Sequence, residues 1–394
     1  MKRIIILTTL ITCILLTYLA PAANADVPAS LDLSCDSAVL MDAMTGEIVF
    51  GYNENEHMPV ASVNKIMTLY IVFEYIEKGI ISLDDMVLVS YNAASMGGSQ
   101  VYLEQGGQYK LDELLKSIIV ASANDSCVAV AEHISGTVEG FVILMNDKAK
   151  ELGLNDSLFE NCTGLPAPNH YMSAIDIARL STELMKFEEF FNYSTIWTEN
   201  FQHPSGRTTL ITNTNKLINY YVGCDGIKTG FTNEAMYCLS ATAKKGDTRL
   251  IAVVLGEPTS SIRNNDIAEM FNYGFANYTT YVMYKKGDII KEDVKIFGGK
   301  KYAYHAVANE DICLFVSKSN QGDLTTTIDL QENIIAPLAK GDTIGEVQIF
   351  LNNSYVKSYD VVISRDVEKM SYWDSLREVF DIYCNRLSKA EENT

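Results

Sequence analysis

Residues 59–79 read Pro59-Val-Ala-Ser62-Val-Asn-Lys65-Ile-Met-Thr68-Leu-Tyr-Ile-Val-Phe73-Glu-Tyr-Ile-Glu-Lys78-Gly79. Apolar side chains at Ile66, Leu69, Tyr70 and Phe73 recur at three- and four-residue spacing. That spacing predicts a helix over 62–78, with Gly79 as its C-cap. A hydroxyl and an amine three residues apart share one helix face, so Ser62 and Lys65 lie within reach of each other. By itself S-x-x-K is cheap: chance supplies it about once or twice in a chain of this length, and Ser354-Tyr-Val-Lys357 also matches. That copy falls in a predicted strand, where positions i and i+3 point to opposite faces, and it is discarded.

Working outward, residues 37–51 alternate around Thr45-Gly46 and predict a hairpin. Downstream, helical patterns cover 111–121, 125–134, 141–152 and 173–186, the last opening at Ser173 as N-cap. Strands follow at 226–229, 236–243 and 248–255, then a helix near 261–273. Strands at both ends of this stretch, with helices between, predict an α+β fold: an antiparallel sheet whose first and last strands meet, with a helical cluster. After Tyr278 the texture changes. Residues 281–365 form short alternating runs broken by Lys286-Gly-Asp, Gly298-Gly299, Lys340-Gly-Asp and Asn352-Asn353, which predict a small C-terminal all-β domain. From 370 to 389, Trp373, Leu376, Phe380, Tyr383 and Leu387 fall within an arc of about 80°. Such a terminal amphipathic helix suits a membrane surface, a short coiled coil or docking onto the β domain.

The composition is that of an ordinary globular protein: 394 residues, 47% hydrophobic and 21% charged. It excludes a disordered tail, a collagen-like repeat and a multi-span membrane protein. With 31 Lys and Arg against 50 Asp and Glu, the net charge of −19 would repel phosphate backbones, so no nucleic acid is expected as partner. Lys2-Arg3, the apolar run 4–19 and Pro21-Ala-Ala-Asn-Ala25 predict a secretory signal peptide over 1–25. The cysteines beyond it are scattered and form no disulfide framework. Cys224 and Cys238 flank a predicted turn, where they could pair or could sit as buried small apolar residues. His57, His133, His170, His203 and His305 show no metal-ligand spacing, so no metal is expected.

Two more short patterns carry chemistry. Ser122-Ala123-Asn124 lies between two predicted helices, and Lys228-Thr229-Gly230 sits on a late strand. Each alone reads as a turn, cap or strand residue. Together with Ser62-x-x-Lys65, in the order helix, interhelical loop, late strand, they are far more specific than any one part.

The trio is that of penicillin-binding proteins and serine β-lactamases, and residues 37–277 closely resemble the low-molecular-mass D-alanyl-D-alanine carboxypeptidases of the serine S11 type. Further matching stretches are Asn161-Cys-Thr-Gly-Leu165-Pro, Asn169-His-Tyr171 with Ser173-Ala174, and Gly226-Ile-Lys228-Thr-Gly-Phe231-Thr. The resemblance implies a β-lactamase/transpeptidase-like catalytic domain over 26–278, the β domain over 281–365 and an anchoring helix over 370–389. It implies cleavage of the D-Ala–D-Ala bond of peptidoglycan pentapeptides, with no cofactor, on the outer face of the cytoplasmic membrane or in the wall space. β-Lactams would be inhibitors.

A serine needs a base to become a nucleophile. Ser62 is expected to attack, Lys65 to take its proton and Ser122 to relay a proton to the leaving amine. Burial and a nearby cation, Lys228, would both lower the pKa of Lys65. Ser62 N and Phe231 N would form the oxyanion hole. Asn124, Thr229 and Gly230 would line the substrate, and Arg263 would hold its terminal carboxylate. Met236 stands where many relatives have glycine. Two rival readings remain: a serine β-lactamase and a non-catalytic β-lactam-sensing or wall-binding protein. Glu151-Leu-Gly-Leu154-Asn155 matches the β-lactamase E-x-x-L-N pattern, but it ends a helical segment at Gly153 and reads as a helix terminus.

Overall fold

The computed structural model describes residues 31–300, 303–320, 322–377 and 379–380. The predicted leader, and Tyr383 and Leu387 of the terminal stripe, lie outside them. The chain runs β1 (Ser37–Asp42), β2 (Ile48–Tyr52), one 3₁₀ turn (Ala61–Asn64), α1 (Lys65–Glu77), α2 (Leu111–Val120), α3 (Asn124–Ser135), α4 (Val138–Glu151) and α5 (Ala174–Met185). A hairpin follows, β3 (Thr198–Gln202) and β4 (Thr208–Thr212), then β5 (Cys224–Thr232), β6 (Met236–Lys245), β7 (Thr248–Glu257) and α6 (Ser260–Asn277), with shorter pieces between.

All six residues of β1 are buried, because its sheet is covered on both faces. The strand order is β2-β1-β7-β6-β5, antiparallel throughout. First and last strands do meet: Ser37 pairs with Leu255 and Asp42 with Leu250. Val39, Met41, Ile251, Val253 and Leu255 join the core that contains α1 and α5. Alternate strand residues face the other way, and there Leu40 and Leu250 meet Gly274 of α6. Strand β5 is left at the edge of the sheet.

Two helix expectations are revised. The spacing in α1 predicts a single apolar face, yet every residue from Lys65 to Glu74 is buried, so α1 is a central helix packed all round. Its start also moves: Ser62 lies in the 3₁₀ turn, and regular α-helix begins at Lys65. The cysteine alternatives resolve too. Cys224 and Cys238 are buried free thiols; in the β5–β6 ladder Cys224 opposes Ala243 and Cys238 opposes Gly230, so they are not partners across the turn.

Beyond α6 come β8 (Tyr278–Tyr284), β9 (Ile289–Lys291), β10 (Ala306–Ala308), β11 (Ile312–Ser317), β12 (Leu324–Leu330), β13 (Thr343–Leu351) and β14 (Ser354–Ile363). They form a sheet in the order β9-β10-β14-β13-β12 and a β8–β11 pair, closed over Ile312, Leu314, Ile344, Val347, Ile349, Val361, Ile363 and Val367. No loop separates α6 from β8. Thr280 of β8 donates from Oγ1 to Asp42 Oδ1 at 3.1 Å and from N to Thr248 Oγ1 at 2.8 Å, tying the two sheets' ends together. The chain then becomes helical from Tyr372, with Tyr372, Trp373, Leu376, Val379 and Phe380 all exposed.

Gly274 lets α6 settle on the sheet: a Cβ there would meet Leu250 Cδ1 at 2.5 Å and Leu40 Cδ2 at 3.1 Å. Gly274→Val is therefore expected to cost about 1–3 kcal/mol by overpacking, read as a lowered thermal unfolding midpoint.

Candidate active site

The 3₁₀ turn at Ala61–Asn64 explains the first contact. In 3₁₀ geometry side chains at i and i+3 eclipse, so Ser62 and Lys65 are brought together: Lys65 Nζ lies 2.9 Å from Ser62 Oγ. The turn is held from outside by the loop carrying Asn161. Asn161 Oδ1 accepts from Thr163 N, Thr163 Oγ1 and Gly164 N, an Asx turn, while Asn64 Nδ2 donates to Asn161 O. Gly164 has φ +82, and a Cβ there would sit 1.8 Å from Ala61 O. Only glycine allows this loop to press on the turn.

Lys65 is wholly buried. Besides Ser62, its Nζ reaches Asn124 Oδ1 at 2.7 Å and Thr163 O at 2.7 Å. Asn124 is fixed in turn, since its Nδ2 donates to Gly97 O at 2.8 Å. The three partners suit either charge state. An ammonium donates three hydrogen bonds; a free amine donates to the two carbonyl oxygens and accepts from the serine hydroxyl. Burial pushes the Lys65 amine down to about 8, against weaker opposing effects of Cys127, Cys162 and Asp125.

Lys228 of β5 is also buried, and its Nζ donates to Thr229 O at 3.1 Å. Burial pushes it well below the usual lysine range, and the charges of Lys65 and Arg263 push it further. Burial is the main cause at Lys65, and because the two buried ammonium groups repel each other, each disfavours the charged form of the other. Thr229 Oγ1 donates to Thr214 Oγ1 at 2.7 Å. Gly230 brings the edge strand onto the serine turn, since a Cβ there would lie 2.7 Å from Val60 O and 3.1 Å from Ser62 N. Phe231 is half exposed, its ring 4.3 Å from that of Tyr237.

Ser122 is buried with φ +63, and its Oγ has no hydrogen-bond partner among the described residues. Lys65 is bonded to Asn124 rather than to Ser122. Arg263 is buried on α6, with Nε and Nη2 on Asn264 Oδ1 and Nη1 3.5 Å from Cys238 O; no direct bond links it to the other predicted site residues. Met236 takes φ +53, the left-handed region that glycine occupies freely.

Glu151 ends α4 with a largely exposed side chain, paired with Lys148 at 2.7 Å. Lys148 also binds Glu74, nine residues along α1 from Lys65, about 13 Å at helical rise. Sequence reasoning assigned no role to Asn161, Thr163 or Thr214. The Asn-x-Thr-Gly pattern signals a tight turn, but nothing local says which element that turn presses on.

Comparison with known proteins identifies the family and the fold. The sequence profile of the peptidase S11 family, described as D-alanyl-D-alanine carboxypeptidase, matches residues 22–259. The chain belongs to this family. The profile of the penicillin-binding protein 5 C-terminal domain matches residues 278–369. D-alanyl-D-alanine carboxypeptidase DacF of Bacillus subtilis is 39% identical over 377 residues, spanning 94% of this chain and 96% of that protein. DacC of Escherichia coli is 32% identical, over 85% and 86% of the two chains. The crystal structure of penicillin-binding protein 5 from Haemophilus influenzae superposes with a TM-score of 0.72 at 31% identity, covering 86% of this chain and 99% of that one. The chain is a D-alanyl-D-alanine carboxypeptidase of the mixed α/β penicillin-binding fold, with an all-β C-terminal domain.

Gly230→Ala is expected to lower D-alanine release at least tenfold, because displacements of about 1 Å at a reacting centre can cost 10²-fold. Far-UV circular dichroism of the variant should match that of the parent.

Proposed function

We propose that Ser62 is the nucleophile of this carboxypeptidase and Lys65 its base. The observation that carries the proposal is the 2.9 Å contact between Ser62 Oγ and the buried Lys65 amine. The Ser62 proton passes to Lys65 Nζ as Oγ attacks the carbonyl carbon of the penultimate D-alanine in a peptidoglycan pentapeptide. The developing oxyanion lies between Ser62 N and Phe231 N. The C–N bond then breaks, the D-alanine nitrogen takes a proton through Ser122 Oγ, and an ester remains on Ser62. Water, deprotonated by Lys65, hydrolyses that ester. Asn124, Thr229 and Gly230 bind the substrate backbone along the free edge of β5, while Lys228 and Arg263 offer positive charge to its terminal carboxylate. β-Lactams acylate the same serine and inhibit. Glu151 does not serve as a β-lactamase water activator, being exposed and engaged with Lys148.

Ser62→Ala should abolish both D-alanine release and labelling by a tagged penicillin; a labelled residue other than Ser62 would overturn the assignment. A general base works only when unprotonated. With Lys65 held at about 8, kcat/KM should rise tenfold per pH unit below about 8 and level off above it. A limb centred on the ordinary lysine value would show that the base is not this buried amine.

We also propose that residues 1–25 direct export and that the enzyme works at the outer face of the cytoplasmic membrane. What supports the membrane part is the start of the terminal helix, where Tyr372, Trp373, Val379 and Phe380 are each at least 66% exposed; large apolar side chains unpacked against protein suit a lipid interface. Among the described residues no single helix is long and apolar enough to cross a membrane. Truncation after Ser371 retains Val367, buried in the β-domain core. This form should lose co-sedimentation with liposomes yet hydrolyse soluble peptide at the parent rate; equal sedimentation of the two forms would refute the anchor.

A further inference from the structure

Among the described residues, eight that are not glycine hold a positive φ: Asn53, Ala61, Tyr102, Ser122, Met236, Asp293, Asn352 and Asn353. Four are Asn or Asp, which tolerate this region in ordinary turns. The other four have no such excuse. Ala61 precedes Ser62, Ser122 belongs to the Ser-x-Asn loop, and Met236 follows the turn out of β5. Three of the four therefore border the proposed active site, in keeping with the tendency of backbone strain to gather where function requires it.

Tyr102 is the fourth, with φ +64, and a bulky residue there is a genuine outlier. Packing does not account for the choice of tyrosine. Val101 and Leu103 are buried on either side, while Tyr102 is 59% exposed. The strained backbone is instead clamped by hydrogen bonds. Asp125, next to Asn124, accepts from Val101 N at 3.1 Å and from Leu103 N at 3.0 Å. Arg207, between β3 and β4, donates from Nη2 to Tyr102 O at 2.5 Å. The same loop is fastened to the site, since Asn124 N donates to Ser99 O at 2.7 Å and Asn124 Nδ2 to Gly97 O at 2.8 Å. Three residues from Ser99 span at most about 11 Å, so Tyr102 belongs to the loop that borders Asn124, and its side chain is open to an incoming ligand.

We infer that the Tyr102 ring is the wall of a second substrate subsite, one that takes the part of the peptide stem N-terminal to the D-Ala–D-Ala pair. Its flat face accepts the methylenes of a long stem side chain, and its hydroxyl can bond the stem's amides or carboxylates. The inference rests on Ser62 and Lys65 carrying the chemistry. Tyr102 acts on binding and takes no part in bond making.

The test compares the mature enzyme with Tyr102→Gly and Tyr102→Phe. D-alanine release is measured on diacetyl-L-Lys-D-Ala-D-Ala and on the full pentapeptide L-Ala-γ-D-Glu-L-Lys-D-Ala-D-Ala. Tyr102→Gly should raise KM for the pentapeptide about three- to tenfold, raise it less for the short substrate, and leave kcat within about twofold. Because glycine relieves the positive φ, its unfolding temperature should equal or exceed the parent's. Tyr102→Phe should restore most of the KM. An unchanged pentapeptide KM, an equal effect on both substrates, a fall in kcat or a lowered unfolding temperature would each overturn the subsite. Penicillin labelling of the same preparations separates the two readings: a tag away from Ser62 refutes the nucleophile, whereas an unaltered stem KM refutes the subsite.

Discussion

Burying an amine is expensive unless each of its hydrogen-bonding positions is met, and the catalytic half of this molecule is arranged to meet that condition for Lys65. Its three partners come from three places: Ser62 from the 3₁₀ turn, Asn124 from the first residue of α3, and Thr163 from the Asn161 loop. None can shift without leaving a polar atom unpaired in the core. The central helix, packed on all sides, fixes the origin of the lysine stem, and Gly164 and Gly230 bring the loop and the edge strand to van der Waals contact with the turn. Precise placement here follows from the packing around the amine, while reactivity follows from the same burial, which holds the amine near neutrality.

Electrostatically the site is layered. Lys65 is innermost, Lys228 lies on the adjoining strand and feels its charge, and Arg263 lies on α6, where burial holds it at about 10. Like charges at such depth disfavour one another, and in the function proposed above the carboxylate at the end of the substrate would relieve the repulsion. On that proposal the groove would be better satisfied occupied than empty, a preference generated by desolvation and not by a dedicated ion pair.

Much of this was legible in the sequence, for reasons that differ by element. The β1–β2 hairpin, helices α2 to α5 and strands β5 to β7 carry local signals, such as alternation, caps at Ser173 and Gly79, and turn residues, and the structure agrees with them to within a few residues. The meeting of Ser62, Lys65 and Asn124 was legible because motif order constrains topology. The 3₁₀ start at Ser62 was not, since it is imposed by Gly164 and the Asn161 loop, about a hundred residues away. Nor was the all-round burial of α1, which periodicity reports as one face only when a second face is polar. Thr163 contributes a backbone carbonyl, and a carbonyl leaves no mark on residue identity. The left-handed backbone at Tyr102 is equally silent, because the clamp by Asp125 and Arg207 exists only in three dimensions.

The junction at Thr280 sets the mechanics of the whole chain. Helix α6 ends at Asn277, β8 begins at Tyr278, and Thr280 is bolted to Asp42 and Thr248 of the catalytic sheet. The β domain is accordingly a strut and not a tether. With its far end held by the proposed anchor, the strut would fix the altitude of the catalytic groove, and the enzyme would sample a thin slab of its surroundings instead of a hemisphere. Flexible residues inserted after Thr280, with its bonds to Asp42 and Thr248 removed, would trade that fixed working height for a broad distribution, without altering a single catalytic distance.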